Sequence, residues 1–192
     1  KATRAFLGRL CEAAGLDGFV LPVYRDSAPY AAPQLVTKRD DLAQADPFIP
    51  VLSFNTAGFV SELVHAHSGR RYGVVLRACE GRALKELVLR DSLSLDGLLT
   101  VGVDCLATYP LADLDWRLGK TGSHETLTQE NLRFARQGGI ALYRYRKACQ
   151  MCDPLAPSNT DVTLDILGLP ADEVILVEVQ DDYLAHDLNL DV

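Results

Sequence analysis

RYGVVLRACEGRALKELVLRDSLSLDGLLTVGVDC, residues 71–105, is the stretch that decides the fold class. It opens with an apolar run at 71–76, continues with helical spacing to Leu89, and returns to an apolar run at 98–103. Short apolar runs that alternate with helical segments are typical of strand–helix–strand units in α/β domains. Each run is followed by a cysteine, Cys79 or Cys105. Because ligands of open α/β sheets gather beyond the carboxyl ends of strands, we expect both thiols at one edge.

The same alternation continues outward in both directions. It predicts helices at 5–14, 59–67 and 128–137, and further strands at 18–23, 140–145, 162–167 and 174–179. Residues 25–50, with four prolines, predict a long irregular connection with an edge strand at 34–37 and a helical turn at 40–44, and residues 110–125 predict a loop. The predicted fold class is α/β: a single mixed-sheet domain over 1–192, with flanking helices and long cofactor-binding loops. It is either a whole protein or part of a longer chain or complex.

The composition restricts the possible function classes. The 192 residues carry a net charge of −7, so the chain lacks the overall attraction to phosphate backbones on which nucleic-acid binders rely. No apolar run approaches the roughly 20 residues of a membrane helix, and the first residues do not resemble a secretory signal. We therefore predict a cytoplasmic protein that binds no nucleic acid and does not span a membrane.

Four of the five cysteines form a candidate metal site. Cys149 and Cys152 are separated by two residues, a spacing that places two sulfurs on one centre when the turn points its amides at the thiolates. With Cys79 and Cys105 they make four thiols, the number that an iron–sulfur cluster or a structural zinc requires. Cys11 lies on the apolar face of the first predicted helix and is interpreted as a bystander.

Several interpretations of these thiols are open at this point. Structural zinc normally takes its ligands as two compact pairs, whereas two of these cysteines are single residues far apart in sequence, which favours a cluster. Inert buried thiols are the alternative, and an odd cysteine number fits a disulfide framework poorly. A locally basic segment at 133–147 leads into the pair and is either a solvated surface or the surroundings of an anionic cofactor.

Other catalytic chemistry finds little support in the sequence. His65 and His67 are two residues apart on a predicted helix, so they point to different faces and cannot form a zinc-hydrolase pair. No nucleophile elbow, phosphate loop or dinucleotide fingerprint is present. A Cys105–His124 nucleophile has no recognisable local motif.

Three segments resemble one known family, the coenzyme F420 hydrogenase/dehydrogenase beta subunits, which contain FAD and iron–sulfur clusters and include formate dehydrogenase beta subunits. RACEGRALKEL at 77–87 resembles the family's RPCExRAxxEL, and VGVDC at 101–105 with Thr108 and Tyr109 is similar to IGVDCxGTY. YRYRKACQMCDP at 143–154 is similar to the family's terminal cysteine pair. Ala78 stands where the family has Pro, and Leu106-Ala107 replaces a residue followed by Gly.

The resemblance implies one four-iron four-sulfur cluster held by Cys79, Cys105, Cys149 and Cys152, beside a bound FAD. It implies an oxidoreductase subunit that exchanges electrons between a hydride carrier, deazaflavin or NAD, and iron–sulfur partner subunits. The complex would be of the formate dehydrogenase, hydrogenase or heterodisulfide reductase type. The alternatives are a non-catalytic iron–sulfur relay or scaffold subunit without flavin, and a zinc-stabilised interaction domain.

Cofactor contacts are expected at two places. A helix start favours anions, so the FAD pyrophosphate is assigned to Asn55, Thr56, Ala57 and Gly58, with an ordinary helix cap as the alternative. Arg77, Glu80 and Arg82 flank Cys79 and are either cofactor contacts or a local salt-bridge set. Arg77 is the preferred contact to FAD or to the cluster charge, and Asp104 is interpreted as a strand-end cap.

Overall fold

A six-stranded mixed sheet forms the centre of the chain. The computed structural model describes residues 2–25, 30–66, 69–91, 93–137 and 145–188. The strands are β1 (Gly18–Val23), β2 (Ala32–Val36), β3 (Tyr72–Arg77), β4 (Leu98–Val103), β5 (Val162–Asp165) and β6 (Leu176–Val179). The helices are α1 (Ala2–Ala13), α2 (Thr56–Ala66), α3 (Ala78–Asp91), α4 (Leu114–Thr121), α5 (His124–Leu132), α6 (Lys147–Gln150) and α7 (Asp182–Asp187), with 3₁₀ turns at Arg39–Gln44, Leu111–Asp113 and Ala135–Gln137.

The order of the strands brings four parallel carboxyl ends together. The order is β2-β1-β3-β4-β5-β6; β1, β3, β4 and β5 are parallel, whereas β2 and β6 are antiparallel edge strands. The predicted mixed-sheet α/β class is therefore confirmed. Arg77 lies opposite Val103 in the register of β3 and β4, so the segments that follow these strands begin side by side.

Apolar side chains cover both faces of the sheet. On one face, Phe19 and Leu21 pack with Leu7 and Leu10 of α1. On the other face, Val20 and the strand β3 pack with residues of α2 and α3. All six residues of β3 are buried, as expected for a strand covered by helices on both faces.

Gly73 shows why the central strands need a residue without a side chain. A Cβ at this position would lie 2.1 Å from the Phe19 ring, which crosses the backbone of β3. The glycine therefore leaves room for the Phe19 side chain of β1 to pack directly against β3.

The predicted elements agree with the structure around the central sheet and differ at 110–137. The strands at 18–23 and 98–103 are confirmed as predicted. The predicted loop at 110–125 is wrong, because the segment contains α4, which ends at the left-handed residue Gly122. The helix predicted at 128–137 begins earlier, because the Ser123 hydroxyl accepts a hydrogen bond from Thr126 N and caps α5.

Further differences are smaller. The helix α7 was not predicted, although Asp181 caps it through the amides of Tyr183 and Leu184. The strand predicted at 140–145 falls almost wholly on residues 138–144, outside the described part of the chain. Within the described residues, no helix has the length and apolar character needed to cross a bilayer.

Asp165, at the end of β5, is expected to destabilise the fold at neutral pH. Burial, Asp104 and Glu178 raise the pKa of Asp165 from 3.8 to about 6. The folded state therefore binds this proton more tightly than the unfolded state, and stability falls as pH rises from about 4 to about 6. Above that range, Asp165→Asn should be more stable by about 1 kcal/mol, allowing for screening at a partly exposed group.

Thermal unfolding of both forms at pH 4 and pH 8 checks this expectation. The difference in melting temperature should be present at pH 8 and small at pH 4. The exposed Glu173→Gln serves as the control and should change little at either pH. A gain for Asp165→Asn that is equal at both pH values would contradict the electrostatic explanation.

Candidate functional site

Cys79 and Cys105 lie at the same edge of the sheet, as expected from the sequence. Cys79 is the second residue of α3, directly after β3, and Cys105 is the second residue after β4. Because these strands are parallel neighbours, both segments leave the sheet in the same direction. One thiol from the segment after β3 and one from the segment after β4 therefore lie at the carboxyl-end edge of the sheet.

Backbone hydrogen bonds bring the cysteine pair to this edge. Arg146 N donates to Thr108 O over 3.0 Å, and Cys105 N donates to Leu155 O over 3.2 Å. These bonds lie on either side of the pair, so the segment that carries Cys149 and Cys152 is fixed to the loop after β4. Beyond it, Pro157 lies against Gly102 of β4, where an added Cβ would come within 2.5 Å of the proline ring.

The four thiols influence one another electrostatically. Burial raises the pKa of Cys79 to about 11, and Glu80, Cys105 and Cys152 act in the same direction. Burial also raises the pKa of Cys105, against Arg77 and the Ala107 amide, and Cys149 adds to the increase. These couplings link all four residues. All of the cysteines are free thiols.

Cys11 is separate from this group. Its Sγ donates to Leu16 O over 3.4 Å. Burial raises the pKa of Cys11, with smaller contributions from Glu12 and Asp17 and none from another cysteine. The prediction that Cys11 is a bystander agrees with these contacts.

Side chains, rather than the local amides, approach the sulfurs of the pair. The amides of Cys149, Gln150 and Cys152 donate to backbone carbonyls, so the turn does not point them at the thiolates as the spacing suggested. Instead, Arg82 Nη2 lies 3.3 Å from Cys152 Sγ, and Thr108 Oγ1 lies 3.3 Å from Cys149 Sγ. The sequence indicated Arg82 through its position beside Cys79, whereas Thr108 was not singled out as a site residue.

Arg77 places a buried positive charge beside the cysteines. It is 4% exposed and donates to the carbonyls of Val51, at 3.0 Å, and of Ile49. Among the described residues, no carboxylate forms an ion pair with it. Burial disfavours its charged form, but Cys105, Glu80 and Cys79 raise the pKa of Arg77 above its ordinary value. A buried cation without a paired carboxylate suits an anionic neighbour.

Glu80 holds the starts of α2 and α3 together. One carboxylate oxygen accepts from Thr56 N at 3.0 Å and from Thr56 Oγ1 at 2.5 Å, and the other accepts from Arg77 N at 3.0 Å. The residue is 2% exposed. Glu80 therefore uses both oxygens within the protein, and Arg77, Glu80 and Arg82 do not form a mutual salt-bridge set in the described structure.

Backbone amides of the helix start at 55–58 already donate hydrogen bonds to side chains of the protein. Asn55 Oδ1 accepts from Ala57 N over 2.9 Å, and the Thr56 amide is bound to Glu80. These are the contacts of a helix cap, the alternative interpretation of this segment. Gly58 is exposed, and an added Cβ there would meet open space. The assignment of these four residues to a flavin pyrophosphate stays a prediction.

Asp104 connects the strand ends. Its Oδ2 accepts from Ile166 N at 2.9 Å and from Leu167 N at 3.0 Å, which ties the loop after β4 to the end of β5. The interpretation of Asp104 as a strand-end cap is thus confirmed. Beside it, a cavity of about 10 Å³ borders Arg77, Cys105 and Asn131 and has room for about one water molecule.

Ala107 has an unusual backbone conformation within the site. Its φ of 83° lies in the left-handed region that glycine favours. In the motif IGVDCxGTY, which residues 101–109 resemble, this position is Gly. The Ala107 amide interacts with the Cys105 sulfur, so the conformation contributes to the surroundings of that thiol.

Replacing Ala107 by Gly should therefore stabilise the protein. Relief of the left-handed strain, about 1–2 kcal/mol, exceeds the added chain entropy of glycine, which leaves a net gain of about 0.5–1 kcal/mol. For a chain of this size the melting temperature should rise by roughly 1–4 °C. Thermal unfolding measures the change, and an unchanged or lower melting temperature would show that the loop is not strained.

Comparison with known proteins identifies the fold. No protein-family model and no curated protein matches the chain. Among solved structures, a chain of the F420-reducing NiFe hydrogenase complex from Methanosarcina barkeri matches with a TM-score of 0.69 and 14% sequence identity. The two chains share a fold. The match covers 97% of this chain and 70% of the hydrogenase chain. At this identity the similarity describes architecture, and function has to be argued from the site.

Proposed function

We propose that this chain is an electron-transfer subunit of a redox complex, and that Cys79, Cys105, Cys149 and Cys152 hold one four-iron four-sulfur cluster. The observation that carries the proposal is that three separate segments bring four free thiols to one edge of the sheet. Thiolates are the protein ligands of such clusters.

The surroundings of the thiols fit an anionic group. A cluster with four thiolate ligands is negatively charged, and the cations Arg77 and Arg82 lie near Cys79 and Cys152. Burial is the main cause of the raised pKa of Cys79 and of Cys105, and repulsion between neighbouring thiolates adds to it. Binding iron replaces the thiol protons and removes that repulsion.

The spacing of the ligands along the chain favours a cluster over a structural zinc. Cys79 and Cys105 are single residues far apart in sequence, whereas structural zinc normally takes its ligands as two compact pairs. Within the described ranges, no three His, Cys, Asp or Glu side chains are grouped as the ligands of one metal ion are.

The residues of the chain have distinct roles in this proposal. When bound, the cluster accepts and releases one electron at a time. Cys105 lies among the buried residues 103–109, whereas Met151, between the two cysteines of the pair, is 81% exposed. Met151 therefore marks the solvent side of the site, and the buried residues of the loop after β4 cover the other side.

A flavin extends the proposal to hydride exchange. With FAD, the subunit would take electron pairs from deazaflavin or NAD and pass them singly to iron–sulfur partner subunits. The second candidate is a relay or scaffold subunit that keeps the cluster without flavin. The bonds of the Thr56 and Ala57 amides to Glu80 and Asn55 favour this candidate, because those amides are not free to bind a pyrophosphate.

Anaerobic purification followed by spectroscopy and cofactor extraction tests the proposal. Broad visible absorption that bleaches on reduction is expected from the cluster. Flavin released by denaturation identifies the hydride-exchanging form, and a cluster without flavin identifies the relay. Bound zinc without iron or acid-labile sulfide would instead support a zinc-stabilised interaction domain.

A further inference from the structure

Each sulfur of the cysteine pair has one side-chain hydrogen-bond partner, from two different elements. Arg82 Nη2 on α3 donates to Cys152 Sγ over 3.3 Å, and Nη1 donates to Pro154 O over 3.5 Å. Thr108 Oγ1, in the loop after β4, lies 3.3 Å from Cys149 Sγ. We propose that Arg82 and Thr108 are positioning residues that hold these sulfurs as cluster ligands and raise the reduction potential of the cluster. This inference rests on the proposed function.

The direction of the hydrogen bonds follows from the chemistry of the ligands. A cysteine that binds iron is a thiolate and has no proton to donate, so Thr108 must be the donor to Cys149. Thr108 is 2% exposed, so water cannot readily replace its hydroxyl. Arg82 has only donors and carries a permanent charge.

Both donors should favour the reduced cluster. Reduction adds one electron and makes the cluster and its sulfurs more negative. A donor or a positive charge at the sulfur therefore stabilises the reduced state more than the oxidised state, which raises the potential. Removing either donor should make the midpoint potential more negative. The effect should be larger for Arg82, which removes a charge as well as a hydrogen bond.

The two nitrogens of Arg82 give it a second role. By reaching both Cys152 Sγ and Pro154 O, the guanidinium connects the ligand to the chain two residues beyond it. Lysine keeps the charge but not the planar fork that makes two contacts in fixed directions. Arg82→Lys should therefore keep most of the potential while the cluster is held less firmly.

Four variants of the full chain, carrying reconstituted clusters, separate these effects. They are Arg82→Gln, Arg82→Lys, Thr108→Val and the control Arg90→Gln, which changes an exposed arginine of the same helix that pairs with Glu86. The midpoint potential is measured by redox titration, and iron release to a chelator is followed in the oxidised state.

Arg82→Gln should show a more negative midpoint and about 10-fold faster iron release. Arg82→Lys should release iron faster at a potential near that of the wild type, and Thr108→Val should have a slightly more negative midpoint. Arg90→Gln should match the wild type in both measurements.

Two results would overturn the inference, and only the second would also refute the proposed cluster. A wild-type midpoint in both Arg82→Gln and Thr108→Val would refute the positioning roles while the cluster itself stands. A wild-type chain that binds neither iron nor sulfide would refute the proposed function and this inference with it.

Discussion

Replacing Cys149 by Ser should remove most of the bound iron, from about four to less than about one iron per chain. Serine oxygen is a harder ligand with a far higher pKa than a thiol, so it replaces a cluster thiolate poorly. Cys149 is half-buried, and its sulfur contacts Thr108. The hydroxyl of serine retains a hydrogen bond to Thr108, so the change tests metal ligation more than folding.

Cys11→Ser is the matched control for this variant. Cys11 is also a half-buried free thiol, and it donates to Leu16 O. A serine hydroxyl retains that donation, and none of the four candidate ligands acts on this thiol. Iron content should stay at the wild-type value. Equal iron loss in both variants, or equal retention, would show that Cys149 is not a ligand.

Replacing Glu80 by Ala should destabilise the protein by about 3 kcal/mol, because it leaves three hydrogen-bond donors at a buried position without their acceptor. The donors are Thr56 N, Thr56 Oγ1 and Arg77 N. For a chain of this length, the loss corresponds to a decrease in melting temperature of roughly 6–12 °C.

Glu86→Ala is the control on the same helix. Glu86 is exposed, and its described ion pair is the surface pair with Arg90, so its loss should lower the melting temperature by roughly 1–4 °C at most. Equal effects of the two substitutions would contradict the structural role of Glu80. If the Glu80 carboxylate only neutralised charge, Glu80→Gln would be as unstable as Glu80→Ala. We expect an intermediate melting temperature instead, because the amide oxygen of glutamine still accepts hydrogen bonds while its NH2 group faces donors.

The sequence was sufficient to predict the central sheet and the position of two cysteines. Strands β1 and β4 are short apolar runs bounded by glycine or polar residues, and such runs depend little on long-range contacts. The parallel arrangement of β3 and β4 then follows from the helix between them. Cys79 and Cys105 could thus be placed at one edge before any contact was known.

Other features depend on contacts between distant residues. The approach of Arg82 to Cys152 spans 70 positions and depends on how the segment after the pair returns over β4. The Thr56 amide at the start of α2 donates to Glu80, 24 residues later. Local sequence contains neither contact. Helix α4 has only eight residues, of which Leu114 is buried, so its apolar pattern was too short to distinguish it from a loop.

Ala107 shows what the resemblance contributed beyond residue patterns. The replacement of glycine was visible in the sequence, but its consequence depends on φ, which is 83°. The structure therefore shows that alanine at this position has a strained backbone, and the strain can be measured with Ala107→Gly. It also shows that Ala107, in the loop after Cys105, has a conformation that glycine favours.

The most direct test is the number of iron and acid-labile sulfide atoms bound per wild-type chain after anaerobic reconstitution, with zinc measured in the same sample. A four-iron four-sulfur cluster on Cys79, Cys105, Cys149 and Cys152 predicts about four iron and four sulfide atoms per chain and no stoichiometric zinc. One zinc per chain without sulfide, or no bound metal at all, would contradict the proposed cluster.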